Sequence, residues 1–233
     1  MTGGAGITGM TGGNDKAGGD GAVEASGMLV IGLTGSIGMG KSTAARRLLG
    51  LGLGVCDADA EVHKLYAAGG AAVVPLEAAF PGTTGPAGVD RGKLGAALLA
   101  EPAGFKRLEA IVHPLVLAAE RGFLQAEAAR GAAAAVLEIP LLFEGGGDLR
   151  VDTTIVVSAP AGLQRQRVLA RPGMTPEKLA QILSRQMPDA EKRAKADFVV
   201  DTSGPITATE AQIDKIVASL KGRRGTAYAK YWA

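Results

Sequence analysis

The sequence predicts an α/β fold built on a parallel sheet, and three observations carry that prediction. Five short apolar runs, Leu29–Leu33, Leu53–Cys56, Ala132–Ile139, Thr153–Val157 and Phe198–Val200, have strand length. Segments with helical spacing lie between them, the alternation that accompanies parallel strands joined by crossover helices. The first run feeds a glycine-rich loop that opens directly into a helix.

Composition limits what such a fold can be. A chain of 233 residues, 47% hydrophobic, buries one sizeable core with room for a small appended domain. Aromatics are only 4%, so that core is expected to be aliphatic and helix-rich. A net charge of +2 argues against a dedicated nucleic-acid binder. The single cysteine, Cys56, excludes a disulfide framework and suits a reducing compartment. No run approaches the roughly 18 apolar residues of a membrane-spanning helix. Residues 1–27, ten of them glycine, lack both periodicity and the pattern of a signal peptide, and read as a disordered extension. Met28, just before the first strand, is a candidate translation start.

The first strand leads into Gly35-Ser36-Ile37-Gly38-Met39-Gly40-Lys41-Ser42-Thr43. This is the G-x-x-x-x-G-K-S pattern of a phosphate-binding loop, in the strand–loop–helix context that gives it meaning. Glycines let the backbone approach a phosphate closely, and the loop and first-turn N–H groups then point at the anion. Lys41 can reach β- and γ-phosphates, and the Ser42 hydroxyl can ligate Mg²⁺. A dinucleotide fingerprint fits less well, because these glycines run G-x-x-G-x-G.

Helix one is expected from Lys41 to Leu49, ended by Gly50 and Gly52. The second strand ends at Asp57-Ala58-Asp59. Ligand chemistry gathers at the carboxyl ends of parallel strands, so both acids are expected beside the phosphate loop, as a base for a hydroxyl or a metal ligand. The plainer alternative is that Asp59 caps a helix beginning at Ala60. Helices are predicted over Glu61–Ala68, Arg91–Leu99, Ala103–Val112 and Leu115–Ala129, with a break at His113-Pro114 because proline disfavours helix at the preceding residue. So long a helical insertion between two strands suggests a subdomain covering substrate. His63 is expected on a helix surface, and the two histidines do not form a zinc pair.

The third strand ends in Glu138-Ile-Pro-Leu-Leu-Phe-Glu144, with Pro140 tolerable only at a strand end or edge. Beyond the fourth strand, residues 163–195 hold eight basic against three acidic side chains. Arg167 and Arg171 lie at i, i+4, on one face of a continuous helix, and a flexible Pro-Gly follows. An arginine-bearing lid that closes on triphosphate and excludes water is one reading; a solvated basic face is the other. A final helix is predicted over Thr207–Leu220, and residues 221–233 read as a tail without period.

These separated stretches together resemble the dephospho-CoA kinase family. The matching pieces are Ile31–Thr43, Asp57-Ala-Asp59, His113-Pro-Leu-Val116, Ile139-Pro-Leu-Leu-Phe-Glu144, the Gln164–Arg171 segment, Gln186 and Ala196-Asp-Phe-Val-Val-Asp201, in family order across residues 28–220. The resemblance implies a three-layer P-loop NTPase core with a parallel five-stranded sheet, similar to nucleoside monophosphate kinases. It divides residues 28–220 into a core (28–59, 131–162 and 196–220), a helical substrate region (60–130) and a lid (163–195). It implies ATP-dependent phosphorylation of the ribose 3′-hydroxyl of dephospho-CoA, with Mg²⁺. A cytoplasmic monomer without nucleic-acid or membrane partners is expected.

By the same resemblance Asp59 is the general base with Asp57 beside it, and Lys41 and the loop amides hold phosphate. Arg167 and Arg171 are lid contacts to phosphate, while His113, Pro140, Leu141 and Leu142 border the acceptor. The family usually has Asn after the acid at 201, where this chain has Thr202, near the expected adenine position. Two rivals stay open on the residues: another small-molecule kinase such as a nucleoside monophosphate kinase, and a GTPase switch. The switch draws on Phe198-Val-Val-Asp-Thr-Ser-Gly204 but lacks a following Asn-Lys-x-Asp.

Overall fold

The computed structural model describes residues 27–233. Along the chain run β1 (Leu29–Thr34), α1 (Lys41–Gly50), β2 (Gly54–Asp57), α2 (Ala58–Tyr66) and α3 (Val73–Ala79). A two-residue-stranded hairpin follows, β3 (Thr84–Gly85) and β4 (Gly88–Val89), then α4 (Arg91–Ala100), α5 (Gly104–Ala129) and β5 (Ala134–Glu138). The chain continues through β6 (Thr153–Ser158), α6 (Ala161–Leu169), α7 (Pro176–Leu183), α8 (Asp189–Lys195), β7 (Phe198–Asp201) and α9 (Ile206–Leu220).

Five strands form one parallel sheet in the order β2-β5-β1-β6-β7. All of β1 is buried, as the central strand of a covered parallel sheet must be. Its side chains divide by the period of two. Leu29, Ile31 and Leu33 meet Ala44 and Leu48 of α1 and Ile213 and Ile216 of α9. Val30 faces the other way, toward Leu124 of α5 and Trp232. Helices therefore cover both faces, and the predicted three layers are present. The 58–129 helices hold a separate apolar cluster, with Leu76, Phe80, Leu94, Leu98 and Val112 at its centre.

Two predictions need correction, and two features went unpredicted. The break at His113-Pro114 does not occur: α5 runs through Pro114 as one helix of 26 residues. An interior proline costs about 3 kcal/mol, but α5 packs against α2, α3, α4, β2 and β5, and that burial outweighs it. Helix α3 went unpredicted; its Pro75 falls in the first turn, where its missing N–H has no helical partner to lose. The tail is packed: Ala227 and Trp232 are buried, a π-helical turn spans Tyr228–Trp232, and the Trp232 indole N–H donates to the Arg150 carbonyl at 2.8 Å. Asp152 fastens that tail, accepting from the backbone N–H groups of Thr226 (2.7 Å), Ala227 (2.9 Å) and Val30 (2.8 Å). Finally, α6 ends at Leu169, so Arg171 lies beyond the helix and shares no continuous helical face with Arg167. The reading of residues 1–27 as a disordered extension falls outside the described residues except at Gly27, whose carbonyl accepts from Gly225 N–H at 2.9 Å.

Candidate active site

The glycine loop joins β1 to α1 at the carboxyl edge of the sheet. Gly38 has φ 77°, and a Cβ there would lie 2.5 Å from the Val168 methyl of α6. Gly40 has φ 91° and sits 3.2 Å from the Thr202 side chain by the same construction. Neither position admits a side chain without strain. Among the described residues, no protein group accepts from the N–H groups of Gly38, Gly40, Lys41 or Ser42. Free donors at a helix start, with α1 pointing its N-terminus at them, are what a phosphate needs.

Lys41 folds back over this loop, its ammonium donating to the Gly35 carbonyl at 2.8 Å. Burial pushes its pKa below the usual lysine value; Glu138 and Asp59 push it back up, and Lys192 and Arg171 add to the lowering. Lys41 thus senses both a pair of carboxylates and two further cations.

The two aspartates divide their work. Asp57 ends β2 and caps α2, its Oδ1 accepting from Asp59 N–H (2.9 Å) and Ala60 N–H (3.2 Å). The cap is therefore Asp57, two residues earlier than the Asp59 cap the sequence offered. Asp59 stands in the first turn with its side chain exposed. Its backbone carbonyl is 2.8 Å from the Nδ1 of exposed His63.

Sequence reasoning gave no role to Glu138. Because β5 inserts between β2 and β1, Glu138 is in register with Asp57 on one side and Leu33 on the other. It is buried, and burial raises its pKa; Asp57 and Asp59 raise it further, while Lys41 lowers it. A buried carboxylate raised in pKa and a buried lysine lowered in pKa, each acting on the other, lie next to the phosphate loop. The residues also fit Mg²⁺: the Ser42 hydroxyl is exposed at the head of α1, and Glu138 adds a hard oxygen donor. Among the described residues no group of three His, Cys, Asp or Glu side chains could hold a metal ion. Magnesium held mainly by phosphates and water needs no such group.

Arg167 is tied down: Nη1 donates to the Thr202 hydroxyl at 3.2 Å and Nη2 to the Thr202 carbonyl at 2.6 Å. Thr202 in turn donates to the Met39 carbonyl of the loop at 2.8 Å. Arg171 is exposed and close enough to depress the Lys41 pKa. Asp201, the acid of the switch-like stretch, accepts from Ser203 N–H (2.8 Å) and hydroxyl (2.9 Å), closing a local turn.

The Ile139–Glu144 stretch is mixed. Leu142 is fully buried beneath Gly32, where a Cβ would lie 2.8 Å from it, so it cannot touch an acceptor; Leu141 is 43% exposed. The Pro140 carbonyl accepts from Thr34 Oγ1 (3.2 Å) and from Lys192 (3.1 Å). Lys192, wholly buried on α8, also pairs with Glu144 at 2.9 Å. His113 is exposed on α5.

A family profile described as dephospho-CoA kinase matches residues 29–208. A Mesorhizobium japonicum dephospho-CoA kinase is 55% identical over 199 residues, 85% of this chain and all of that relative. A Rhizobium etli dephospho-CoA kinase is 56% identical over 196 residues, 84% of this chain and 96% of that one. Among solved structures, TT1252 from Thermus thermophilus superposes with a TM-score of 0.71 at 36% identity, covering 84% of this chain and 99% of its own. A dephospho-CoA kinase from Campylobacter jejuni gives a TM-score of 0.62 at 26% identity, covering 82% and 96%.

Proposed function

The chain belongs to the dephospho-CoA kinase family, and on that premise we propose that it transfers the γ-phosphoryl group of ATP to the ribose 3′-hydroxyl of dephospho-CoA, giving coenzyme A and ADP. One observation carries the proposal: Asp59 keeps an exposed carboxylate that acts on Lys41, while its neighbour Asp57 is taken up in capping α2.

In this reading the free N–H groups of the loop and the Lys41 ammonium hold the β- and γ-phosphates. Asp59 accepts the proton of the attacking hydroxyl as the new O–P bond forms and the bond to the β-phosphate oxygen breaks. Ser42 and Glu138 would supply oxygen donors to Mg²⁺, which when bound would supply positive charge against the transferring group. Arg171 adds positive charge from the lid side, and Arg167 fixes Thr202 against the loop. The 60–130 helices, with exposed His113, and Pro140 and Leu141 would border the acceptor, and residues 163–195 would shut out water that otherwise hydrolyses ATP. The protein works as a cytoplasmic monomer on a small molecule, without nucleic-acid or membrane partners; its one cysteine, Cys56, is buried and free.

The test is an ADP-release assay offering dephospho-CoA, AMP, CMP and adenosine in turn. Turnover is expected with dephospho-CoA far above the others. Preference for AMP or CMP would make this a nucleoside monophosphate kinase instead.

A further inference from the structure

Three consecutive residues between α7 and α8 each touch a different part of the molecule. The Arg185 guanidinium lies 4.9 Å from the centre of the Phe105 ring at the start of α5. The Gln186 side-chain oxygen accepts from the N–H of Ile37, in the phosphate loop, at 3.1 Å. The Met187 N–H donates to Glu144, after β5, at 2.7 Å. On the far side of the same loop residue, Gln164 of α6 donates its Nε2–H to the Ile37 carbonyl at 2.8 Å. Gln164 is buried, and Val168, one turn later, backs Gly38.

Both backbone polar groups of Ile37 are therefore held by glutamine side chains, one on each side. The polarity of each amide follows from its partner. A backbone N–H can only donate, so Gln186 must present its oxygen; a carbonyl can only accept, so Gln164 must present its nitrogen. From this we infer that Gln164 and Gln186 are positioning residues. They fix the Ile37 peptide, so the neighbouring amides of Gly38 and Gly40 are left aimed at phosphate, and they make the loop's shape depend on where the 163–195 segment sits. With Gln186 withdrawn, the Ile37 N–H is freed and the Ile37 peptide loses one of the two side-chain bonds that hold it. The inference rests on the phosphate-binding role of the loop given above, but not on the identity of the acceptor.

The opposite polarities give a direct test. Gln→Glu preserves an acceptor but removes a donor. At 186 a carboxylate can still accept from Ile37; at 164 it would face a carbonyl oxygen with nothing to donate. Amide hydrogen exchange at Ile37, measured without nucleotide, is expected to quicken about fivefold or more in Gln186→Ala, the weight of one hydrogen bond, and to stay near the parent rate in Gln186→Glu. The KM for ATP is expected to rise about fivefold or more in both Gln186→Ala and Gln164→Glu, with kcat changing less, for the same reason. Unchanged Ile37 exchange in Gln186→Ala would overturn the inference, as would loss of protection in Gln186→Glu or a parental KM in Gln164→Glu. The exchange experiment contains neither ATP nor acceptor, so its failure is distinct from a failure of the kinase assignment.

Discussion

Arg167 holds Thr202 by two bonds, one to its hydroxyl and one to its carbonyl, and the Thr202 hydroxyl donates onward to Met39 in the phosphate loop. The end of β7, helix α6 and the loop are thereby joined through one buried side chain. Thr202→Val keeps the shape and removes the hydroxyl, leaving the Met39 carbonyl without that donor. A loss of about 1–3 kcal/mol in unfolding free energy is expected, read by urea titration, together with a raised KM for ATP.

The acidic pair separates by stability as well as by chemistry. Asp57→Ala removes the cap of α2 and is expected to cost about 1 kcal/mol. Asp59→Ala, which breaks no side-chain hydrogen bond, should leave the denaturation midpoint within error of the parent. Equal losses in the two variants would contradict the division of roles.

Glu138 and Arg171 act on Lys41 with opposite sign. Burial already lowers the Lys41 pKa, and the Glu138 carboxylate favours the charged lysine. Glu138→Gln should therefore move the alkaline limb of the pH–rate profile to lower pH. Arg171→Met removes a repelling cation and should move the same limb to higher pH, whatever it does to the maximal rate.

Glu120, buried on α5, has its pKa pushed up to about 7 by burial, against the opposing pull of Arg150. A raised carboxyl pKa means that the folded state binds the extra proton. Its contribution is present in full below the unfolded value near 4.5 and is lost as pH rises toward 7. The loss amounts to roughly 3 kcal/mol by linkage. Glu120→Gln should flatten the fall in stability between those limits, measured by chemical denaturation at a series of pH values.

Much of this molecule was legible because the relevant signals are local. The run Leu29–Leu33, the glycines and Lys41-Ser42 predict strand, loop and helix without help from the rest of the chain, and the strand extends one residue further, to Thr34. The five strands were found for the same reason, each being a short apolar run. What sequence could not supply was lateral order. Nothing in Leu137-Glu138-Ile139 says that β5 inserts between β1 and β2, yet that placement alone puts Glu138 beside Asp57 and near Lys41. Pro114 misled because a local preference worth about 3 kcal/mol was overridden by packing along all of α5. Leu141 and Leu142 could not be told apart as neighbours in sequence; the turn after β5 sends one to the surface and the other under Gly32.

The most direct test of the account is Asp59→Asn, with turnover and ATP affinity measured on the same preparation. ATP should bind nearly as in the parent, by calorimetry, while kcat with dephospho-CoA falls about 10²-fold or more, the usual weight of a general base. A kcat close to the parent's would take Asp59 out of the reaction and the proposed chemistry with it.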